Sequence, residues 1–211
     1  MNKPIDRVID VFDSWALSGR SEAMADGHND SVNMMFDMLN DVENYNLMDV
    51  GCGNGWVVRK AAMNIKCRMA VGVDVSPSMI KVAEEKKTTD KERYICEDFC
   101  ELVLDDSFDV IFSMEVMYYI QPLAKVLEKV HSLLNKGGVF IMGADYYREN
   151  EESHAWPEMV GLDMQLMSME AWKNQFHKAG FDHVVMTQIK DSSSKEVWKR
   201  EVGTLVIKGV K

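Results

Sequence analysis

The sequence predicts an α/β fold, a parallel sheet covered by helices, and three observations carry that prediction. Residues 48–55 read MDVGCGNG, an apolar run that ends in the acid Asp49 and breaks into glycines spaced two apart. A second apolar run, VGVDVS, ends in Asp74, nineteen residues beyond Gly55. From residue 45 onward, short apolar runs alternate with amphipathic stretches, the pattern of strands joined by crossover helices. A buried strand that turns into a helix through glycines leaves bare backbone facing a ligand. An acid at the tip of the next strand can accept hydrogen bonds from a ribose diol, so the chemistry implied is nucleoside-cofactor binding. The loop is G-x-G-x-G, not the G-x-G-x-x-G of dinucleotide sites, and an acid directly before it suits a ligand carrying an ammonium group.

Taken in order, residues 5–16 place Ile5, Val8, Ile9, Phe12, Trp15 and Ala16 at helical spacing, and Ser18-Gly19 ends that helix. The polar segment GRSEAMADGHND reads as a loop. Val32, Met35, Phe36 and Leu39 then mark a second short helix over 31–39. Strands are expected near 46–50, 69–74, 93–96, 108–113 and 138–144, with helices near 55–64, 77–87 and 122–134 between them. Ser76-Pro77 is a helix-start signal, because serine caps exposed amides and proline fits the first turn. Residues 145–167, rich in aromatics and glutamates, read as an irregular insertion. A helix near 169–179 and strands near 182–189 and 201–208 complete seven strands. The expected organisation is one domain over 1–211: a helical N-terminal cap over 1–40, a cofactor-binding core over 45–145 and a substrate-side insertion over 145–167.

Composition narrows the function. The chain has 211 residues, 46% hydrophobic and 27% charged, and no apolar stretch of the roughly 18 residues that a membrane span needs. The N-terminus MNKPIDRVID lacks a signal-peptide core, so a cytoplasmic location is expected. A net charge of −10 with no long basic run disfavours nucleic acid and leaves small molecules as the favoured substrate class. Cys52, Cys67, Cys96 and Cys100 form no C-x-x-C pair and read as free thiols, and no metal is expected.

DVGCGNG and VGVDVSPSMI resemble the first two motifs of class I S-adenosylmethionine-dependent methyltransferases of the small-molecule type. YICEDF over 94–99, FDVIFSMEVMYYI over 108–120 and LNKGGVFIMGADYY resemble the later motifs in order, so the likeness covers roughly residues 45–145. It implies a Rossmann-like, seven-stranded, mostly parallel sheet with helices on both faces and the last strand antiparallel. It also implies S-adenosylmethionine as cofactor and S-adenosylhomocysteine as product. In that pattern Asp49 orients the methionine ammonium, and Gly51, Cys52, Gly53, Asn54 and Gly55 pass along the methionyl and ribose parts. Asp74 binds the ribose hydroxyls, and Val75 and Met79 pack on adenine. Glu97, Asp98 and Phe99 flank the adenine amine, while Ser113 and Met114 lie under the methionyl arm. Arg20 and Met24 belong to a cap that folds over the cofactor.

Methyl transfer needs an acceptor held in line behind the methyl group and, for a protonated nucleophile, a base. The candidates for that base are His28, Glu115 and Asp145, in that order, with His154 in the insertion a further histidine of interest. Trp15, Tyr118, Tyr119, Tyr146, Tyr147 and Trp156 are the candidate acceptor contacts. Tyr146, Tyr147 and Trp156 beside Glu149, Glu151 and Glu152 favour a cationic amine acceptor. The competing readings are a catalytically inactive S-adenosylmethionine-binding regulatory partner and, on the doubly wound sheet, an NAD-dependent oxidoreductase. A monomer or homodimer is expected, with no nucleic-acid or membrane partner.

Overall fold

A computed structural model describes residues 4–211; residues 1–3, the start of the expected N-terminal cap, lie outside the described residues. Its centre is a seven-stranded sheet in the order β3-β2-β1-β4-β5-β7-β6. These strands are β1 (Tyr45–Val50), β2 (Cys67–Asp74), β3 (Glu92–Cys96), β4 (Phe108–Met114), β5 (Leu134–Ala144), β6 (Asp182–Ile189) and β7 (Thr204–Val210). The first five pair in parallel, and β7 runs antiparallel to both β5 and β6. The mostly parallel sheet with an antiparallel last strand is thus the one expected.

Helices cover both faces because the central strands are apolar on both. Helices α5 (Leu123–Leu133) and α7 (Met169–Lys178) bury Leu127, Val130, Trp172 and Phe176 against one face. Helices α2 (Arg20–Asp37), α3 (Trp56–Met63) and α4 (Pro77–Glu85) bury Val32, Met35, Val58, Ala61 and Ala83 against the other. Ser76 caps α4 as expected, its hydroxyl accepting from the Met79 amide at 3.0 Å with Pro77 in the first turn. Helix α1 (Pro4–Leu17) lies against α4, where the Asp13 carboxylate accepts from the Ser76 hydroxyl at 2.5 Å and the Ser78 amide at 3.0 Å.

Three local expectations are corrected. GRSEAMADGHND is helical, not a loop, and forms most of α2. Gly19, at φ 74°, breaks the chain after α1, and the good helix formers Glu22, Ala23, Met24 and Ala25 carry α2 onward. The insertion holds a short 3₁₀ turn, Glu151–Ala155, and helix α6 (Trp156–Val160), which ends at Gly161 in the left-handed region. Residue 201 ends helix α8 (Val197–Glu201), and β7 begins only at Thr204. Among the described residues no helix is long and apolar enough to cross a membrane.

Candidate active site

Between β1 and β4 the strand order reverses direction, and a cavity of about 1190 Å³ opens there at the carboxyl ends of the strands. The glycine loop forms one wall. The amides of Gly51 and Cys52 both donate to the Val73 carbonyl, at 2.8 and 3.0 Å, which folds the loop back over β2 and brings it to Asp74. Asp74 then accepts from the Gly53 amide at 2.8 Å and the Ser76 amide at 2.9 Å. Gly51 sits so close to β4 that a Cβ would lie 2.2 Å from Val116. At Gly53, with φ +50°, a Cβ would meet nothing nearer than Met79 Sδ at 3.9 Å and would stand in the cavity.

Two carboxylates stand here, Asp49 buried and Asp74 partly buried, and neither is ion-paired among the described residues. Burial first, and the Asp74 charge second, push the Asp49 carboxyl well above its ordinary range. Burial also raises Asp74, with the Ser76 and Gly53 amides pulling the other way.

The opposite end is built from β4, β5 and α2. Glu115 follows β4 with φ 61°, a left-handed conformation that a non-glycine residue adopts at a cost of roughly 1–3 kcal/mol. Its amide donates to the Gly143 carbonyl at 3.0 Å. Its carboxylate turns back to accept from the Asp145 amide and, at 2.7 Å, from the Tyr118 hydroxyl. One Asp145 oxygen lies 3.1 Å from His28 Nε2; the other is buried with no hydrogen-bond partner. His28 Nδ1 lies 2.7 Å from the Met24 carbonyl. Both partners of the ring are acceptors, so the imidazole donates from both nitrogens and carries a positive charge. Burial alone would lower the His28 pKa, but the hydrogen bond and charge of Asp145, joined by Glu115, raise it to about 9. Burial and the Asp145 charge push Glu115 up to about 8 against the pull of His28 and Tyr118.

Most of the expected site residues line this one cavity: Arg20, Met24, Asp49, the loop from Gly51 to Asn54, Asp74, Val75, Met79, Glu97 to Phe99 and Met114. His28, Glu115, Asp145, Trp15, Tyr118, Tyr119 and Trp156 line it too. Others do not. Ser113 is fully buried and donates to the Val50 carbonyl, and Gly55 lies behind the loop against Tyr94. Tyr147 is buried with its hydroxyl on the Gly203 carbonyl, and Tyr146 packs in the core beside Tyr118. Glu149 accepts from the amide of Met169 at the start of α7, and His154 is exposed beside the Arg148 carbonyl. Lining residues that sequence reasoning missed include Phe12, Val116, Asp163 and Trp198. Phe12 had a detectable signal, the apolar stripe of α1, whereas Trp198 comes from a segment with no periodicity.

Comparison with known proteins places this geometry. A methyltransferase domain model matches residues 48–142. A chain from the complex between the Haloferax volcanii Trm112 methyltransferase activator and a methyltransferase superposes with a TM-score of 0.88. It is 30% identical, and the match covers 94% of this chain and 96% of that one. The protein belongs to the class I S-adenosylmethionine-dependent methyltransferases. Malonyl-[acyl-carrier protein] O-methyltransferase of Bacillus cytotoxicus is 29% identical over 108 residues, 51% of this chain and 38% of that protein. Sterol 24-C-methyltransferase of Clavispora lusitaniae is 28% identical over 174 residues, 76% of this chain and 46% of that protein. This methyltransferase therefore spans less than half the length of the curated relatives it matches.

Proposed function

We propose that this methyltransferase transfers a methyl group to a small molecule held between Glu115 and the aromatic residues of α1 and α6. The carrying observation is that the Gly51–Asn54 loop, Asp74 and the His28–Glu115–Asp145 cluster open into one cavity. Bound S-adenosylmethionine supplies an electrophilic methyl on a sulfonium. The residues fit that cofactor: Asp49 is a buried acid with no charge partner, Asp74 is a partly buried carboxylate on the cavity wall, and the space above Gly53 admits a ligand against bare backbone. Asp49 takes the ammonium, Asp74 the ribose hydroxyls, and Val75, Met79, Asp98 and Phe99 the adenine.

Among the three candidate bases, Glu115 suits the role best. His28 already holds a proton on each nitrogen, so it positions Asp145 and does not receive a proton. A carboxyl with a pKa near 8 accepts a proton from its ionised fraction, which grows as pH rises through about 8. Residues of α1 and α2 line the cavity, and we propose that they limit water at the acceptor. Four free cysteines agree with a cytoplasmic setting. The Haloferax relative assembles with an activator, so a Trm112-type subunit is a candidate partner for this chain, checked by co-expression and co-purification.

Calorimetry with S-adenosylmethionine, S-adenosylhomocysteine and NAD, followed by a methyl-transfer screen over a metabolite mixture, tests the proposal. Binding of NAD in preference to both adenosyl ligands refutes the cofactor assignment. Cofactor binding with no methylated metabolite refutes the small-molecule acceptor.

A further inference from the structure

We infer that the acceptor is an amine, bound as its ammonium between Glu115 and the partnerless oxygen of Asp145. The inference rests on the methyltransferase reading above and deepens it by naming the substrate class. The expected aromatic and acidic contacts of the insertion do not carry it, since Tyr146 and Tyr147 are buried and Glu149 caps a helix. The His28–Glu115–Asp145 cluster does.

Its charge does not balance. His28 offers one positive charge to two carboxylates, Asp145 buried and Glu115 partly buried, so once Glu115 ionises, at about pH 8, the cluster is left at −1 in a poorly solvated place. One Asp145 oxygen is buried with no hydrogen-bond partner, and Asp145 and Glu115 both line the cavity. The cations that line the same cavity are already engaged. Arg7 donates to the Gly161 carbonyl at 2.6 Å, Arg20 stacks 3.9 Å over Trp15, and Lys199 donates to the Gly27 carbonyl at 3.0 Å. A carboxylate or phosphate acceptor would meet the acidic cluster with no free cation among the described lining residues to offset it. An ammonium meets two acceptors and the rings of Tyr119 and Trp156 on the same wall.

The same arrangement moves the proton. The ammonium gives one proton to the Glu115 carboxylate, which becomes the neutral acid, and the nitrogen recovers its lone pair. That pair forms the new N–C bond while the methyl–sulfur pair stays on sulfur, and the product leaves as an N-methylammonium.

Ligand atoms of His28, Glu115 and Asp145 also lie within 4.8 Å of one another, close enough to hold a metal ion. The double donation of His28 favours a proton over a metal at its nitrogen, and the experiment separates the two. The protein is first titrated with S-adenosylhomocysteine, then with primary amines graded from ethylamine to tryptamine, each beside its isosteric alcohol. All titrations are repeated with EDTA and with Mg²⁺ or Zn²⁺. At least one amine should bind about tenfold or more tighter than its alcohol, the scale of one charge-assisted hydrogen bond. That preference should survive EDTA and fall in Glu115→Gln and Asp145→Asn. Comparison of each amine with its alcohol in the wild-type protein needs no variant, so misfolding of a mutant does not blunt the test. If S-adenosylhomocysteine fails to bind, the parent reading falls. If it binds but every amine matches its alcohol, or selectivity appears only with added metal, the amine assignment alone is overturned.

Discussion

Replacing Asp74 by alanine is the sharpest perturbation of the cofactor wall. In the free protein this carboxylate accepts two backbone hydrogen bonds, from Gly53 at 2.8 Å and Ser76 at 2.9 Å. It thereby fixes the glycine loop to the start of α4, and its remaining lone pairs face the cavity. Hydrogen bonds to a charged acceptor contribute roughly 1.5–3 kcal/mol each. Losing one net ribose interaction of that kind weakens S-adenosylhomocysteine binding by about 10- to 150-fold. Of the two orphaned amides, that of Gly53 lies on the cavity wall while Ser76 is fully buried, so Asp74→Ala should also cost roughly 1–3 kcal/mol of folding stability beside the loss in binding. Asp74→Asn separates these contributions, because it keeps one acceptor oxygen and removes the charge, and its affinity should fall between wild type and Asp74→Ala. Calorimetry at fixed ionic strength gives the affinities, and urea unfolding of the three proteins confirms a common fold. Equal affinity in wild type and Asp74→Ala would refute the reasoning outright.

Gly53→Val should weaken cofactor binding further than Asp74→Ala, since it adds about 1–3 kcal/mol of left-handed backbone strain and fills ligand space; equal affinity on the same calorimeter would contradict this. Asp13→Ala removes two acceptor contacts to the start of α4 and should cost about 0.5–2 kcal/mol locally, read as faster amide exchange across residues 4–17. Folding stability should fall as pH rises between about 6.5 and 9. His28 binds its proton more tightly folded than unfolded, so its contribution is full below pH 6.5 and lost through pH 9, and Glu115, also raised, adds the same sign. Thermal melts at pH 6.5 and 9 check this, and His28→Asn should flatten the difference. Methyl transfer should rise with pH through about 8 as Glu115 ionises, and a profile unchanged in Glu115→Gln would remove it as the base.

The sheet was legible because continuous apolar runs bounded by glycine, proline and acids have few other stable uses. The cofactor wall was legible for a related reason: the glycine loop and Asp74 are local patterns whose spacing carries the geometry. Helix α2 was not legible. Its first half is polar, with no apolar stripe, and the helix is held by long-range contacts, the core packing of Val32 and Met35 and the bond of His28 to Asp145. The facing of Tyr146 and Tyr147 was hidden for the opposite reason. Residues 138–147 are buried without interruption, so no alternation marks which side chains reach the cavity. The strained backbone of Glu115, which aims the acid at Asp145, has no counterpart in composition or periodicity.

One hydroxyl joins two parts of this enzyme that the chain keeps far apart. Ser76 accepts from the Met79 amide to start α4 and donates to Asp13 on α1, while its own amide is held by Asp74. Asp74, the start of α4 and the N-terminal helix α1, which the proposed reading assigns to ribose, adenine and cavity cover, therefore share one set of hydrogen bonds. By thermodynamic reciprocity, whatever favours a docked α1 tightens the grip on nucleoside, and a bound nucleoside favours a docked α1 to the same degree. If the proposed cofactor binds there, its departure and the release of α1 are linked steps, and loosening α1 should speed the one as it speeds the other.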